Sequence, residues 1–362
     1  MAVSADHWRD IPFDFEPGDV TGAFGDSVTV LPIVVAAAAL TDLSLGAIFV
    51  WFGVFQIVSG LWFQVPISVE PMKALAGLLL AGALTTGEFV IGGLLAGVVL
   101  LGVGSTNTLG RVQAYVGEPV VRGIQLAVAL LLLQTGIGLG LANPPLAAVA
   151  VTLAGVAILL GQFNLSALLV LGAGAAVALW TGGIPTVTLP ELSGLSTLST
   201  GAMTPAALEA TGAQLAMTVG NAAVATSLLL EDYFDRHVEP DALATSMGTM
   251  NLVSIPLGGM PMCHGSGGVA GKYAFGARTE GANLLLGGLY LLAATVAVGI
   301  VAAYPLSMLG VILVLVALQL AQTSLQASHL PLVVAIGVVG LVVNIGVAFV
   351  AGVFVWVLLD RR

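Results

Sequence analysis

Residues 65 to 76 read V-P-I-S-V-E-P-M-K-A-L-A, and residues 260 to 271 read M-P-M-C-H-G-S-G-G-V-A-G. Each stretch precedes a short apolar segment and carries backbone breakers. Pro66 and Pro71 disfavour helix before residue 71, whereas Pro71 suits the first turn of a helix that begins there. Gly265, Gly267 and Gly268 act correspondingly in the second stretch by freeing the backbone. The pattern predicts two extended strands leading into two half-helices whose N-termini meet near the middle of a bilayer. Helix-start N–H groups and positive dipole ends there make an anion site without a cluster of arginines. Pro and Gly also kink packed membrane helices without any such role. Equivalent breaks at two places in one chain are the signal that favours a transporter site.

The membrane setting follows from composition. Of 362 residues 58% are hydrophobic and 8% charged, and the mean hydropathy is +1.07, against a charged share of about 25% in soluble domains. Residues 123 to 190 and 281 to 359 contain no Asp, Glu, Lys or Arg. One span needs about 20 apolar residues, so each run is a series of helices divided by turns such as Asn143-Pro144-Pro145 and Gly161-Gln162. The alternation of a transmembrane barrel is not visible. The 47 glycines suit helices packed through small residues.

Runs and breakers predict segments at 22–40, 44–63, 71–83, 88–104, 119–141, 144–160 and 163–180. After a polar stretch from Thr181 to Pro205 come 211–230, 242–257, 265–276, 283–302, 305–322, 330–342 and 344–359. Seven is odd, so a second half of the same order sits inverted. At a constant offset of 195, Gly25 and Asp26 fall on Gly220 and Asn221, Gly53 on Gly248 and Gln56 on Asn251. Val58 and Ser59 fall likewise on Val253 and Ser254, and Pro66 on Pro261. A register held across three segments points to an inverted repeat.

Basic residues mark cytoplasmic loops. With the N-terminus inside, Arg9, Arg111, Arg122, Arg236, Arg278, Arg361 and Arg362 all fall on that side, and the Thr181 to Pro205 connection, which has none, falls outside. Met1 to Val20 lacks the pattern of a cleavable signal and reads as interfacial, with Trp8, Ile11, Phe13 and Phe15 on the headgroups and Asp6, Asp10, Asp14, Glu16 and Asp19 toward water. The net charge of −10 disfavours nucleic-acid binding and suggests a prokaryote with a salt-rich interior.

The strings P-x-x-V-E-P-M-K-A-L-A at 66 to 76 and G-G-M-P-M-C-H-G-S-G-G-V-A-G-K-Y-A-F-G-A-R at 258 to 278 resemble the two signatures of the molybdate transporter family. G-A-F-G-D-S-V-T-V-L-P at 22 to 32 and G-N-A-A-V-A-T-S-L-L-L-E-D at 220 to 232 are similar to it as well. The resemblance covers almost the whole chain. It implies an all-α membrane fold shared with sulfate permease-like and nucleobase transporters, with about 14 segments in two inverted halves and often a homodimer. It further implies a core of residues 1–104 and 211–303 (segments 1–4 and 8–11), a gate of 105–180 and 304–362 (segments 5–7 and 12–14), and an extracellular connection at 181–210. Substrate would lie between half-helices 3 and 10. The chain stops at Arg362 without the cytoplasmic regulatory domain of many sulfate permeases, which favours the molybdate branch.

The candidate substrate-binding residues are Asp26, Glu70, Pro71, Met72, Lys73, Asn221, Cys263, His264, Gly265, Ser266 and Gly267. The family usually has Gln where this chain has Glu70. Three readings compete for that carboxylate: it is protonated when substrate is bound and couples a proton to transport, it pairs with Lys73 one turn later, or it points into a wet cavity. Asp26 is either a second proton-coupling group or a hydrogen-bonded cap at the start of segment 1. Lys73 can offset substrate charge, and Lys272 reads as snorkelling to the cytoplasmic interface. Cys263 and His264 are adjacent on an extended segment and point oppositely, which disfavours a catalytic pair. Neither has a partner at metal-ligand spacing, so one of them lines the anion pocket. Ser266 and the neighbouring N–H groups are the expected direct contacts. His7, His237 and His329 read as loop or interface residues.

No G-x-x-x-x-G-K-S/T loop is present, so energy would come from an ion gradient. The expectation is secondary active import of molybdate with no cofactor or metal, with tungstate or sulfate as competitors. Alternatives are a carrier of sulfate or another oxyanion, an anion channel, or a membrane-embedded enzyme resting on Cys263 and His264. A nucleobase carrier would need acids where this chain has Asn221 and Gly265.

Overall fold

Helix α1 (Pro17–Leu40) starts before residue 22 because Pro17 takes its first position and the Asp19 carboxylate accepts the Glu16 N–H at 2.8 Å. It bends by 45° between Pro17–Val28 and Val30–Leu40. Pro32 lies inside it, and a helical proline clashes with the carbonyl four residues back, here that of Val28. The computed structural model describes residues 14–110, 117–183, 187, 189–192 and 200–360. Asp6, His7, Trp8, Arg9, Asp10, Ile11, Phe13, Arg111, Arg361 and Arg362 lie outside the described residues.

Every one of the fourteen expected segments contains a helix. After α1 come α2 (Leu45–Phe63), strand β1 (Glu70–Pro71), α3 (Lys73–Leu80), α4 (Thr86–Ser105), α5 (Glu118–Leu141), α6 (Pro144–Leu159) and α7 (Phe163–Gly182). The second half holds α8 (Pro205–Phe234), α9 (Pro240–Ser254), strand β2 (Met262–Cys263), α10 (Ser266–Ala274), α11 (Gly281–Ala302), α12 (Leu306–Ser324), α13 (Leu330–Val342) and α14 (Ile345–Asp360). Helix α8 starts six residues earlier than its hydropathy suggests, with Thr204 as N-cap and Pro205 in the first turn. Its centre, Thr218–Ala225, is π-helical. By length and composition α2, α4, α5, α8, α12 and the Leu165–Gly182 part of α7 are long and apolar enough to cross a bilayer, and the bent α1 makes a seventh.

Packing follows the repeat. The broadest helix contacts include α2 on α11 and α4 on α9, a pair of pairs that exchange when the halves are exchanged, and α5 on α12, which maps onto itself. Gly53 and Gly248, equivalent at the offset of 195, serve equivalent seams. A Cβ on Gly53 would stand 2.8 Å from the Gly287 carbonyl oxygen, and one on Gly248 would stand 2.8 Å from that of Gly97. The strands pair antiparallel, Glu70 with Cys263 and Pro71 with Met262. One step back, this register sets Val69 opposite His264, residues that are themselves equivalent at that offset. The ladder therefore straddles the axis relating the two halves.

One end of the bundle gathers the starts of α1 and α11 and the ends of α2, α8 and α10. Arg236 donates to Gln64 Oε1 at 2.8 Å. The N–H groups of Arg278 and Thr279 donate to Asp19 Oδ1 at 2.8 and 3.1 Å. Asp19 is thus fully buried and does not face water as its place in an acidic terminus suggests, because it ties α1 to the turn after α10. His237, exposed at this end, is held above the usual histidine range by hydrogen bonds to Glu239 and Glu231. At the other end Thr204 donates to Glu88 Oε1 at 2.6 Å, joining the starts of α8 and α4. Apolar side chains of α6 and α14, such as Val151, Leu159, Val350 and Phe354, face outward, as lipid contact requires.

Candidate functional site

The strand pair delivers α3 and α10 to the centre of the molecule from opposite directions. Pro71 is part of β1, not of the first turn of α3: its neighbour Met72 donates its N–H to the Pro261 carbonyl at 2.9 Å and is the N-cap, so the helix begins at Lys73. The buried carboxylate of Glu70 forms an ion pair with the Lys73 ammonium, one helical turn away and partly exposed. The local pairing foreseen for Glu70 is therefore present.

The same carboxylate lies against the first turn of α10. A Cβ at Gly265 or Gly268 would overlap Glu70 carboxylate atoms, and at Gly268 also Ser68 Oγ and Asp26 Oδ1. Glycine is required here for close approach of the carboxylate to the helix start. Gly268→Ala is accordingly expected to abolish transport while the protein still inserts, since a methyl group there must expel Glu70, Ser68 or Asp26. Uptake normalised to membrane expression checks this.

The two helix starts are not equivalent. At α3 the N–H groups of Ala74 and Leu75 are taken by Gln214 Oε1 of α8, at 2.9 and 3.3 Å. The expectation that helix-start N–H groups of both half-helices serve the anion site is corrected for α3, where a glutamine side chain takes them as a cap. At α10 the Ser266 hydroxyl donates to Asn221 Oδ1 at 2.5 Å, so its proton is already engaged. Glu70, Lys73, Gln214, Met217, Thr218, Asn221, Ala222, Cys263 and His264 line one small cleft between α3, β2 and α8.

Behind this cleft lies a fully buried polar network. Asp26 accepts from Gln56 Nε2 and Ser68 Oγ, each at 2.7 Å. It also stands 3.5 Å from Lys272 Nζ. Lys272 donates to Gln56 Oε1, the Ile67 carbonyl and Asn283 Oδ1 at 2.9, 2.6 and 2.7 Å. Two expectations are overturned. Lys272 does not snorkel, because an acid from the other half and three oxygen acceptors hold it inside with no exposure. Asp26 is not a cap at a helix start, because α1 begins nine residues before it.

His264 is fully buried and both its nitrogens are engaged, Nδ1 with the Ser68 carbonyl at 2.8 Å and Nε2 with Ser246 Oγ at 3.0 Å. Cys263 Sγ points to the Pro71 carbonyl at 3.8 Å. Neither contact is between the two residues, so they do not form a nucleophile and base. Among the described residues no group of three or more His, Cys, Asp or Glu side chains is placed to hold a metal ion.

A sequence profile described as "Molybdate transporter of MFS superfamily" matches this chain twice, over residues 18–132 and 206–320. The chain belongs to the molybdate transporter family. The double match, one in each half, agrees with the repeat seen in the packing. Similar members include Molybdate transporter 2 of Arabidopsis thaliana, 27% identical over 84% of this chain and 78% of that protein. Molybdate transporter 1 of the same plant is 26% identical over 95% and 88%, and Molybdate transporter 1 of Chlamydomonas reinhardtii is 26% identical over 84% and 83%. The fold is that of the transmembrane domain of the cyanobacterial bicarbonate transporter BicA, with a TM-score of 0.68 at 16% identity, covering 95% of this chain and 100% of that one. The murine Slc26a9 anion transporter in its inward-facing state gives 0.68 at 13%, covering 98% and 69%. The family and these relatives are transporters, not enzymes.

Within this member of the family, reading the sequence missed Gln214, Thr218, Gln56 and Asn283. Gln56 carried a signal, since its offset partner Asn251 is also a buried amide and bonds the backbone of Met262 at both ends of its side chain, 2.9 and 2.7 Å.

Proposed function

We propose that this chain imports molybdate as a secondary active transporter, holding the oxyanion in the cleft between the starts of α3 and α10. The observation that carries the reading is the Lys73 ammonium standing at one half-helix start with the first turn of the other beside it, in a member of the molybdate transporter family. Helix starts and a single ammonium attract a dianion without multiple full charges. Asp26, Glu70, Pro71, Met72, Lys73, Asn221, Cys263, His264, Gly265, Ser266 and Gly267 are the proposed substrate-site residues, some by contact and some by shaping the strands.

Glu70 is the proposed proton carrier. It faces the cleft, whereas Asp26 faces Gln56, Ser68 and Lys272 behind it, which supports a positioning role for Asp26. A carboxylate next to a dianion is repulsive in a low-dielectric site, and one proton removes the repulsion. Core helices α1–α4 and α8–α11 would move against gate helices α5–α7 and α12–α14. Within these sets lie the broad contacts of α2 with α11, α4 with α9 and α5 with α12. Cytoplasmic termini are supported by Arg236 and Arg278 at the bundle end where α1 starts. A homodimer and a high-salt prokaryotic host complete the reading.

Sulfate is the second reading, since any tetrahedral dianion meets the same donors. Metal-quantified uptake into proteoliposomes, with and without an imposed inward proton gradient, tests both. Accumulation of molybdate driven by the gradient and inhibited by tungstate more than by sulfate is the expected result. Absence of molybdate accumulation under either condition overturns import, and currents far above carrier turnover would make the protein a channel.

A further inference from the structure

We propose that Gln214 of α8 is a substrate-binding residue that reads the oxyanion with one end of its amide while capping α3 with the other. The inference rests on the functional reading above and adds to it a specificity-determining contact.

The orientation of this amide is set by chemistry. Two backbone N–H groups, those of Ala74 and Leu75, point at one terminal atom at 2.9 and 3.3 Å, so that atom is the oxygen. The nitrogen then faces away from α3 and donates to Thr218 Oγ1 at 2.9 Å. An amide nitrogen has two hydrogens, and the second has no acceptor among the described residues. Gln214 and Thr218 both line the cleft that holds Lys73, and both are buried.

Asn221, two turns further along α8, repeats the arrangement. Its Oδ1 accepts from Ser266 at the start of α10, its Nδ2 has no acceptor among the described residues, and the residue lines the same cleft. Each half-helix start is thus tied to α8 by the oxygen of an amide that keeps at least one N–H without an acceptor among the described residues. The π-helical run Thr218–Ala225 begins one turn after Gln214 and contains Asn221, and such runs are frequent at functional sites. The ligand chemistry that fits is an acceptor-only tetrahedral dianion, which takes neutral donors from α8 and charge from Lys73.

Two variants separate this role from capping alone. Gln214→Glu keeps an oxygen for the α3 N–H groups, favoured at a helix start, but removes the donor and adds a charge that itself repels the dianion, so its binding is read together with that of the uncharged variant. Gln214→Met removes donor and cap without adding charge. Molybdate binding to the purified full-length protein is expected to weaken about ten- to a hundredfold in both, as for a lost hydrogen bond to a charged ligand, while the melting temperature falls only in Gln214→Met. Binding within about twofold of the parent in either folded variant overturns the proposal. A parent protein that binds no molybdate defeats the functional reading instead, so the two failures are distinguishable.

Discussion

Lys272→Met is expected to destabilise the protein by about 3–5 kcal/mol, the range for breaking one side of a buried ion pair, and to abolish uptake. The lysine is fully buried and holds together elements distant in the chain: Gln56 of α2, the backbone of Ile67 before β1, Asn283 of α11 and Asp26 of α1. Its removal leaves the Asp26 carboxylate without its buried counter-charge and takes the Lys272 donor from the Ile67 carbonyl and Asn283 Oδ1, while Gln56 Oε1 keeps the Asn283 Nδ2 donor at 3.0 Å. The double variant Asp26→Asn with Lys272→Met is expected to recover part of the loss, because the uncompensated charge is gone. Thermal unfolding in detergent across the four members of the cycle measures the coupling. Additive effects would show that the pair does not act as a unit.

The second large effect concerns the pair in the cleft. Lys73→Met removes the ammonium nearest the proposed ligand and strands Glu70 in a buried position, and uptake is expected to fall more than about a hundredfold. Glu70→Gln acts in the opposite direction on binding. Two unit charges about 5 Å apart interact by about 3 kcal/mol at an effective dielectric of about 20, and even half of that is about tenfold in affinity. Glu70→Gln is thus expected to bind molybdate about tenfold tighter and to lose the response to a proton gradient. In the parent, uptake is expected to rise as the pH on the donor side falls, because a deprotonated Glu70 competes with the dianion for Lys73. Unchanged pH dependence in Glu70→Gln removes Glu70 as the proton carrier.

The paired breaks at Pro66 to Pro71 and Gly265 to Gly268, with the offset of 195, make the two half-helices and their inversion readable in the sequence. They are local signals, and helix starts are decided locally. Lys272 and Gln214 were not readable in the same way. A lysine in the last turn of a short membrane helix has the sequence appearance of an interfacial anchor, and only the folding of Asp26 from the other half onto it makes burial tolerable. One clue was present: two intramembrane acids, Asp26 and Glu70, against a single assigned base, Lys73, leave one charge unmatched, and Lys272 is the only nearby candidate to match it. The Gln214 cap joins groups about 140 residues apart, and nothing in the periodicity of α8 distinguishes that glutamine from one facing lipid headgroups.

The strand register extends the same lesson. Glu70 opposite Cys263 and Pro71 opposite Met262 agree with the repeat, but the repeat admits any antiparallel register and does not choose this one. The sequence alone shows only that both segments are extended. Helix α1 was read five residues short because its N-terminal signals, Pro17 and Asp19, lie in an acidic stretch that resembles a solvated tail.

The central claim, an oxyanion held where α3 and α10 meet, is tested most directly by an anomalous-scattering map at the molybdenum absorption edge from crystals of the protein grown with molybdate. A single strong peak is expected in the cleft beside Lys73, within hydrogen-bonding reach of the Gln214 and Asn221 amides. A peak elsewhere, with the cleft empty, would contradict the account.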